Sequence, residues 1–154
     1  MIGLDKLTPE GQRFLKELEE MAKLEVAVGY QAGEATDEKG VDLCDIAMWN
    51  ELGTQGEHPI PSRPFLRQTI DNNEGQIKNF CQAQAAQIPK GGSAEECLKQ
   101  IGVYMKGLVQ QTIRDGDFVP NAPSTIRRKG SDRPLIDTGQ LRQSVNYHIR
   151  PKRK

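Results

Sequence analysis

Two stretches of this sequence alternate between apolar and polar or small residues, and they lie near opposite ends of the chain. The first runs from Leu24 to Tyr30 and the second from Val145 to Ile149, each with the period of a half-buried β-strand. A single strand leaves its backbone N–H and C=O groups unpaired, so we expect the two strands to share a sheet. We expect that sheet to be small, mainly antiparallel and extended by short strands around the loops.

Capping residues mark where the first two helices begin and end. Thr8 followed by Pro9 is a helix start, and apolar residues three and four apart continue the helix to about Lys23. Asp42 can cap a second helix, and Gly53 stands where a left-handed residue ends one. The predicted core-facing stripe of this second helix consists of Leu43, Ile46, Ala47 and Trp49.

Two more helices are predicted in the middle of the chain. Asp71, with Glu74 three residues later, predicts the start of the third helix. Ser93 and Glu96 form a capping box, which predicts that the longest helix covers residues 93–114.

These elements predict an α+β fold, a small mainly antiparallel sheet covered by three to four helices. With 154 residues, the chain has the length of one domain. We expect that domain to cover residues 1–150, followed by a basic tail over residues 151–154.

The formal net charge of zero conceals a strong asymmetry along the chain. Residues 1–60 carry 5 Lys and Arg against 13 Asp and Glu, whereas residues 125–154 carry 9 against 2. A chain polarised in this way can attract copies of itself head to tail, or place its basic end near phosphate. A solvated basic tail is the simpler alternative.

The cysteines and the hydropathy of the sequence indicate the kind of cellular compartment in which the chain is found. Cys44, Cys81 and Cys97 are odd in number and widely spaced, which fits free thiols in a reduced compartment. The N-terminal segment lacks the pattern of a secretion signal, and no stretch approaches the ~20 apolar residues of a membrane span. We therefore expect no membrane association.

The sequence shows no catalytic or metal-binding motif. Its two histidines are His58, in a proline-containing loop, and His148, on the polar face of the second strand. No metal-ligand spacing, CxxC pair or glycine-rich phosphate loop is present. We predict no enzymatic activity, no metal and no cofactor. A two-carboxylate nuclease or glycosidase stays an alternative, because such pairs meet only in the fold.

A stiff loop follows the second helix, in the stretch WNELGTQGEHPIPSRPFLR of residues 49–67. Its three prolines reduce the entropy lost on ordering and push the residues before them toward extended conformations. Phe65 and Leu66 then act as anchors, either in the core of the chain or against a neighbouring subunit. Arg63 and Arg67 can form forked ion pairs with carboxylates across such a boundary.

Two segments together resemble a known family. The first contains IAMWNELGT (46–54) and continues to PSRPFLR (61–67), and the second is TIRRKGSDRPLIDTGQLRQSV (125–145). The pair resembles the small neck, tail-completion and virion-morphogenesis proteins of long-tailed bacteriophages and prophages, which act in head–tail joining. The chain departs mildly from that family's pattern at Leu52, Ser62 and Gln68.

The resemblance implies a non-catalytic structural protein of the virion, assembled in the cytoplasm of the bacterial host. It implies that copies close into a ring, six-fold in the family, and that the ring binds other neck and tail proteins. The predicted residues of the subunit interface are Arg63, Pro64, Phe65 and Arg67.

The second segment is basic, and the resemblance places it in a particle through which DNA passes. Candidate contacts to DNA phosphate, without base reading, are Arg127, Arg128, Lys129 and Arg133. After them, Asp137 or Thr138 is expected to cap a short helix. One alternative function is a DNA-binding accessory module that uses this basic C-terminal arm. A phage-associated hydrolase or nuclease is a further alternative.

Overall fold

A computed structural model describes residues 6–116, 118 and 139–153 of the chain. Over these residues the chain forms five helices and two strands, and the strands pair as an antiparallel sheet. The predicted α+β class and the long helix near residues 93–114 are confirmed. In chain order the elements are α1 (Pro9–Lys23), β1 (Leu24–Gly29), α2 (Leu43–Leu52), α3 (Phe65–Ala85), α4 (Ala94–Asp115), α5 (Gln140–Ser144) and β2 (Asn146–Pro151).

The sheet pairs the two strand patterns that lie more than a hundred residues apart in sequence. Within the described residues no third strand joins them. The short strands expected around the loops are represented there by one isolated antiparallel bridge, between Thr36 and Asp42.

Side-chain caps start three helices at the predicted residues. The Thr8 hydroxyl accepts the Gly11 N–H at 3.1 Å, with proline at the first helical position of α1. Asp42 Oδ1 accepts the Cys44 N–H at 2.9 Å and starts α2. Ser93 Oγ accepts the N–H three residues later, at 3.1 Å, and starts α4.

The predicted start of the third helix was wrong. Helix α3 begins at Phe65 rather than Asp71, because a carboxylate from α2 caps the earlier start. Asn73 has a non-helical backbone (φ −126°, ψ 17°), so the predicted start lies close to a kink inside the helix. Helix α5 has Gly139 at its N-cap position (φ 76°) and no side-chain cap bond. Asp137 and Thr138, the caps predicted for this helix, lie outside the described residues, so that cap stays a prediction.

The contacts of the chain group into two compact units, each drawn from separate stretches of sequence. The first unit takes its described residues from 1–27, 74–105 and 147–154, and the second from 28–73 and 106–146. The single domain expected over residues 1–150 stays a prediction.

The first unit is held by side chains of α1 that contact the turn before α4. The Arg13 guanidinium donates to the carbonyl oxygens of Ile88 (2.7 Å) and Gly92 (2.9 Å). Glu17 accepts the Ala94 N–H at 2.7 Å, so α1 also contributes a cap to α4. The phenyl ring of Phe80 stacks on the Tyr104 ring with centroids 4.0 Å apart. The buried apolar residues of this unit include Ile88, Ala94, Cys97 and Leu98.

The second unit has a continuous apolar core. Tyr30 meets Phe65 edge to face at a centroid distance of 6.1 Å, and its hydroxyl donates to the Leu141 carbonyl oxygen. The buried Thr69 hydroxyl and the Thr112 hydroxyl are 2.8 Å apart, which joins α3 to α4. The buried members of the core are Ala47, Phe65, Val109, Ile113, Leu141 and Val145.

Glu25 fastens the end of β2 in the first unit. Its carboxylate accepts the Arg153 N–H at 2.8 Å and lies 3.4 Å from the Arg150 guanidinium. The hydrogen bond from the Arg153 backbone is the main reason that the pKa of Glu25 lies below its usual value, and the Arg150 charge lowers it further.

A pH titration tests this attachment. The pKa of Glu25 is lower in the folded chain than in the unfolded one, so its contribution to stability is present above the unfolded value near 4.5. That contribution is lost as the pH falls through the folded pKa. The Arg153 amide resonance should titrate in this acid range in the wild type and should not do so in Glu25→Gln. An identical titration in both proteins would contradict the assigned contact.

Candidate functional site: the clamp between α2 and α3

Residues 50–67, the clamp, include most of the first segment on which the resemblance to phage proteins is based. At its start, Gly53 turns the chain out of α2 with φ 75° and ψ 168°, a region that is essentially restricted to glycine. A Cβ at this position would lie 2.9 Å from the Ser62 nitrogen and 3.0 Å from the Ile60 oxygen. The glycine therefore lets the two sides of the loop touch.

Hydrogen bonds close the loop across its base. The Thr54 N–H donates to the Ile60 oxygen at 2.9 Å, and the Ile60 N–H donates back to the Thr54 hydroxyl at 2.9 Å. The Ser62 hydroxyl donates to the Glu51 oxygen at 2.8 Å, so the returning strand of the loop is tied to the last turn of α2. The enclosed tip, residues 55–59, is exposed throughout.

Asn50 and Glu51 connect the end of α2 to the start of α3. The Asn50 carbonyl oxygen accepts the Arg63 N–H, and the Asn50 side chain donates to the carbonyl one turn back, at 2.8 Å. Glu51 accepts the Leu66 N–H at 2.9 Å and the Arg67 N–H at 3.0 Å. A carboxylate at this end of α3 satisfies two unpaired donors and complements the helix dipole.

The Glu51 cap can be tested by substitution. Glu51→Ala leaves both N–H groups without their carboxylate, and we expect the free energy of unfolding to fall by about 1–2 kcal/mol. Glu57→Ala is the matched control, because Glu57 lies on the exposed tip of the same loop. It should change stability by less than about 0.5 kcal/mol. Equal effects of the two substitutions in urea denaturation would contradict the cap.

The four residues predicted for a subunit interface occupy very different positions. Arg63 is 8% exposed and Phe65 is completely buried in the core of its own chain. Burial lowers the pKa of the Arg63 guanidinium. Pro64 is half-buried. The Arg67 side chain is 79% exposed and lies 3.9 Å from Asp71, one turn along α3. Arg67 is thus the most accessible of the four to a neighbouring molecule.

The sequence pattern predicts Trp49 in the core-facing stripe of α2, and this prediction is wrong. Leu43 and Ala47 are each 4% exposed and form the inner face of the helix, whereas Trp49 is 37% exposed. It shares the outer face with Met48 (48% exposed) and Leu52 (72% exposed). A signal was present in the sequence, because LCDIAMWNEL has more apolar residues than one stripe can use.

Basic residues predicted to contact DNA (Arg127, Arg128, Lys129 and Arg133) lie outside the described residues. Over the part of the chain that is described, no group of three His, Cys, Asp or Glu side chains is placed to hold a metal ion. None of the described helices combines the length and the apolar composition needed to cross a membrane.

A polar cleft between α4 and α5 lies in the second unit. Its volume is about 560 Å³. The Gln110 side chain donates to the Arg142 carbonyl oxygen at 3.1 Å and links the two helices. The lining residues are Gly107, Gln110, Gln111, Arg114, Arg142 and Gln143, so its charged side chains are both basic.

Comparisons with known proteins do not assign this chain to a family. A scan against protein-family models, a search of curated proteins and a search of solved structures each returned no match.

Proposed function

We propose that this chain is a structural, non-catalytic virion protein of a phage or prophage. It acts in head–tail joining or tail completion by assembling into a ring with copies of itself and with other neck and tail proteins. The ring is assembled in the host cytoplasm and becomes part of the virion.

The observation that carries the proposal is the closed clamp between α2 and α3. The segment that resembles the phage proteins is held in one shape by Gly53, by the Thr54–Ile60 pair and by the Glu51 cap. A loop fixed in this way has already lost its conformational entropy before it meets a partner, which favours binding.

Contacts within the clamp explain why most of the residues in its sequence motif are needed. Asn50, Glu51 and Gly53 hold the loop, and Phe65 anchors it in the core. The tip of residues 55–59 and the Arg67 side chain stay exposed and face outward. The motif therefore supports assembly by fixing the shape of the loop. The residues that meet a neighbouring molecule are the exposed ones, the tip of residues 55–59 and Arg67.

Deletion of the gene from the phage or prophage that encodes it tests the proposal. We expect electron microscopy to show DNA-filled heads and tails that remain unjoined, or tails with abnormal ends. Expression of the wild-type chain in trans should restore joined particles. Particles of normal form and normal infectivity without the chain would contradict the proposed function.

A further inference from the structure

We propose that the outer face of α2 binds the cleft between α4 and α5 of a second copy of this chain. This inference rests on the proposed function and specifies the contact through which copies associate. The outer face consists of Asp45, Met48, Trp49 and Leu52, and the cleft is the arginine- and glutamine-lined one described above.

The outer face has the form of a docking surface. Residues 48, 49 and 52 lie on one side of the helix, at spacings of one, three and four. These residues are 48%, 37% and 72% exposed, although the opposite side of α2 is packed in the core. Adjacent exposed Met, Trp and Leu side chains on one turn mark an interaction site more often than single exposed apolar residues do.

The clamp makes this face rigid. Gly53 ends α2, and hydrogen bonds from the Arg63 N–H and the Ser62 hydroxyl hold the carbonyl groups of its last turn. Asp42 fixes the other end of the helix. A partner therefore meets a preformed surface and loses little entropy by ordering it.

Charge identifies the occupant of the face. Residues 40–62, which include α2, carry four acidic side chains and neither Lys nor Arg. Asp42 and Glu51 are used as caps, whereas Asp45 is exposed one turn before Trp49. Among the described residues, the α4–α5 cleft offers a complementary surface, because its charged lining residues are Arg114 and Arg142. Two surfaces that carry charges of the same sign would repel each other, whereas the α2 face and the cleft carry opposite signs.

Arg142 is the natural partner of Asp45. Arg114 already forms a short contact with Asp115, at 3.0 Å, whereas no ion pair engages Arg142 among the described residues. The aliphatic parts of the arginine and glutamine side chains can cover Met48 and Leu52, and a guanidinium can stack on Trp49. The contact joins two different surfaces, so it is head to tail and adds copies until a ring closes.

Trp49 is the one tryptophan of the chain, so its fluorescence reports directly on the proposed contact. The purified full-length chain is examined over a concentration series by sedimentation velocity and by tryptophan emission. We expect the sedimentation coefficient to rise and the emission to shift to the blue over the same concentrations. Added salt should weaken both changes, because one pair of contacting groups is charged.

Substitutions that leave Trp49 in place allow the contact to be tested residue by residue. Leu52→Ser removes the most exposed apolar group and should raise the dissociation constant about thirtyfold or more. Val103→Ser is the matched control, because Val103 is 50% exposed on α4 in the first unit. It should leave association unchanged. Asp45→Arg and Arg142→Glu should each weaken association, and the double variant should recover at least part of it.

Three results would overturn the inference. One is a wild-type chain that sediments as a monomer at every concentration with solvent-exposed Trp49 emission. The second is association of Leu52→Ser with wild-type affinity, and the third is a double charge variant that is as weak as the singles combined. If the isolated chain stays monomeric but Trp49 becomes buried when the neck and tail proteins are added, self-docking through α2 is wrong and the proposed function stands.

Discussion

Replacing Phe65 by alanine should lower the free energy of unfolding by about 3–5 kcal/mol, the range for truncation of a buried aromatic side chain. The Phe65 ring is fully buried, meets Tyr30 edge to face and lies among the apolar residues of the second unit. The loss combines the transfer free energy of the ring with the cavity that rigid neighbours leave behind.

The matched control for Phe65→Ala is Ile70→Ala on the same helix. Ile70 is 52% exposed, so its truncation should change stability by less than about 1 kcal/mol. Urea denaturation with a common slope for all variants measures both effects. A Phe65→Ala protein with wild-type stability and impaired association would contradict the core position and return Phe65 to the subunit interface.

Replacing Gly53 by alanine should lower the free energy of unfolding by about 2–4 kcal/mol. Two causes add at this position. The backbone angles are strained for any residue with a side chain, and the new Cβ would press on backbone atoms of Ser62 and Ile60. Backbone atoms cannot rotate away as the end of a long side chain can, so the loop must separate from α2.

Substitutions at two other glycines separate the cost of the strained backbone from the cost of the steric clash. Gly56 also has positive φ, 127°, but a Cβ there meets nothing within 4 Å, so Gly56→Ala should show the backbone cost without the clash. Gly75 lies in α3 with open space around it, and alanine there should be neutral or stabilising by up to about 1 kcal/mol. If Gly53→Ala were no worse than Gly56→Ala, the close approach across the clamp would not limit stability.

Local chemistry made much of the fold predictable. The alternation at 24–30 and 145–149 gave the paired strands, and the caps at Thr8, Asp42 and Ser93 fixed three helix starts. Each of these signals acts within a few residues, so it can be recognised without knowledge of the tertiary structure.

The misplaced features depend on contacts between distant residues. The start of α3 is set by Glu51, fifteen residues before the amide that it caps, and the Asp71–Glu74 spacing then falls inside a kinked helix. The sequence pattern predicts an inward Trp49, because apolar periodicity does not show which of two apolar faces of a helix meets the core. The structure buries Leu43 and Ala47 and leaves Trp49 partly in solvent.

The same distinction applies to the candidate site. The motif around residues 50–67 predicts a binding loop, and its prolines and arginines suggest an interface. Its backbone is closed on itself by Thr54, Ile60 and Ser62, and two of the four predicted interface residues are buried. We therefore propose that the exposed face of α2, the loop tip and the Arg67 side chain contact other molecules.

We propose that this chain works by assembling with other protein copies. Native mass spectrometry tests it most directly, with the purified chain measured alone and with the neck and tail proteins encoded beside it. We expect assemblies with one fixed number of copies, either alone or with those partners. A chain that remains a monomer in every mixture would contradict the proposed assembly.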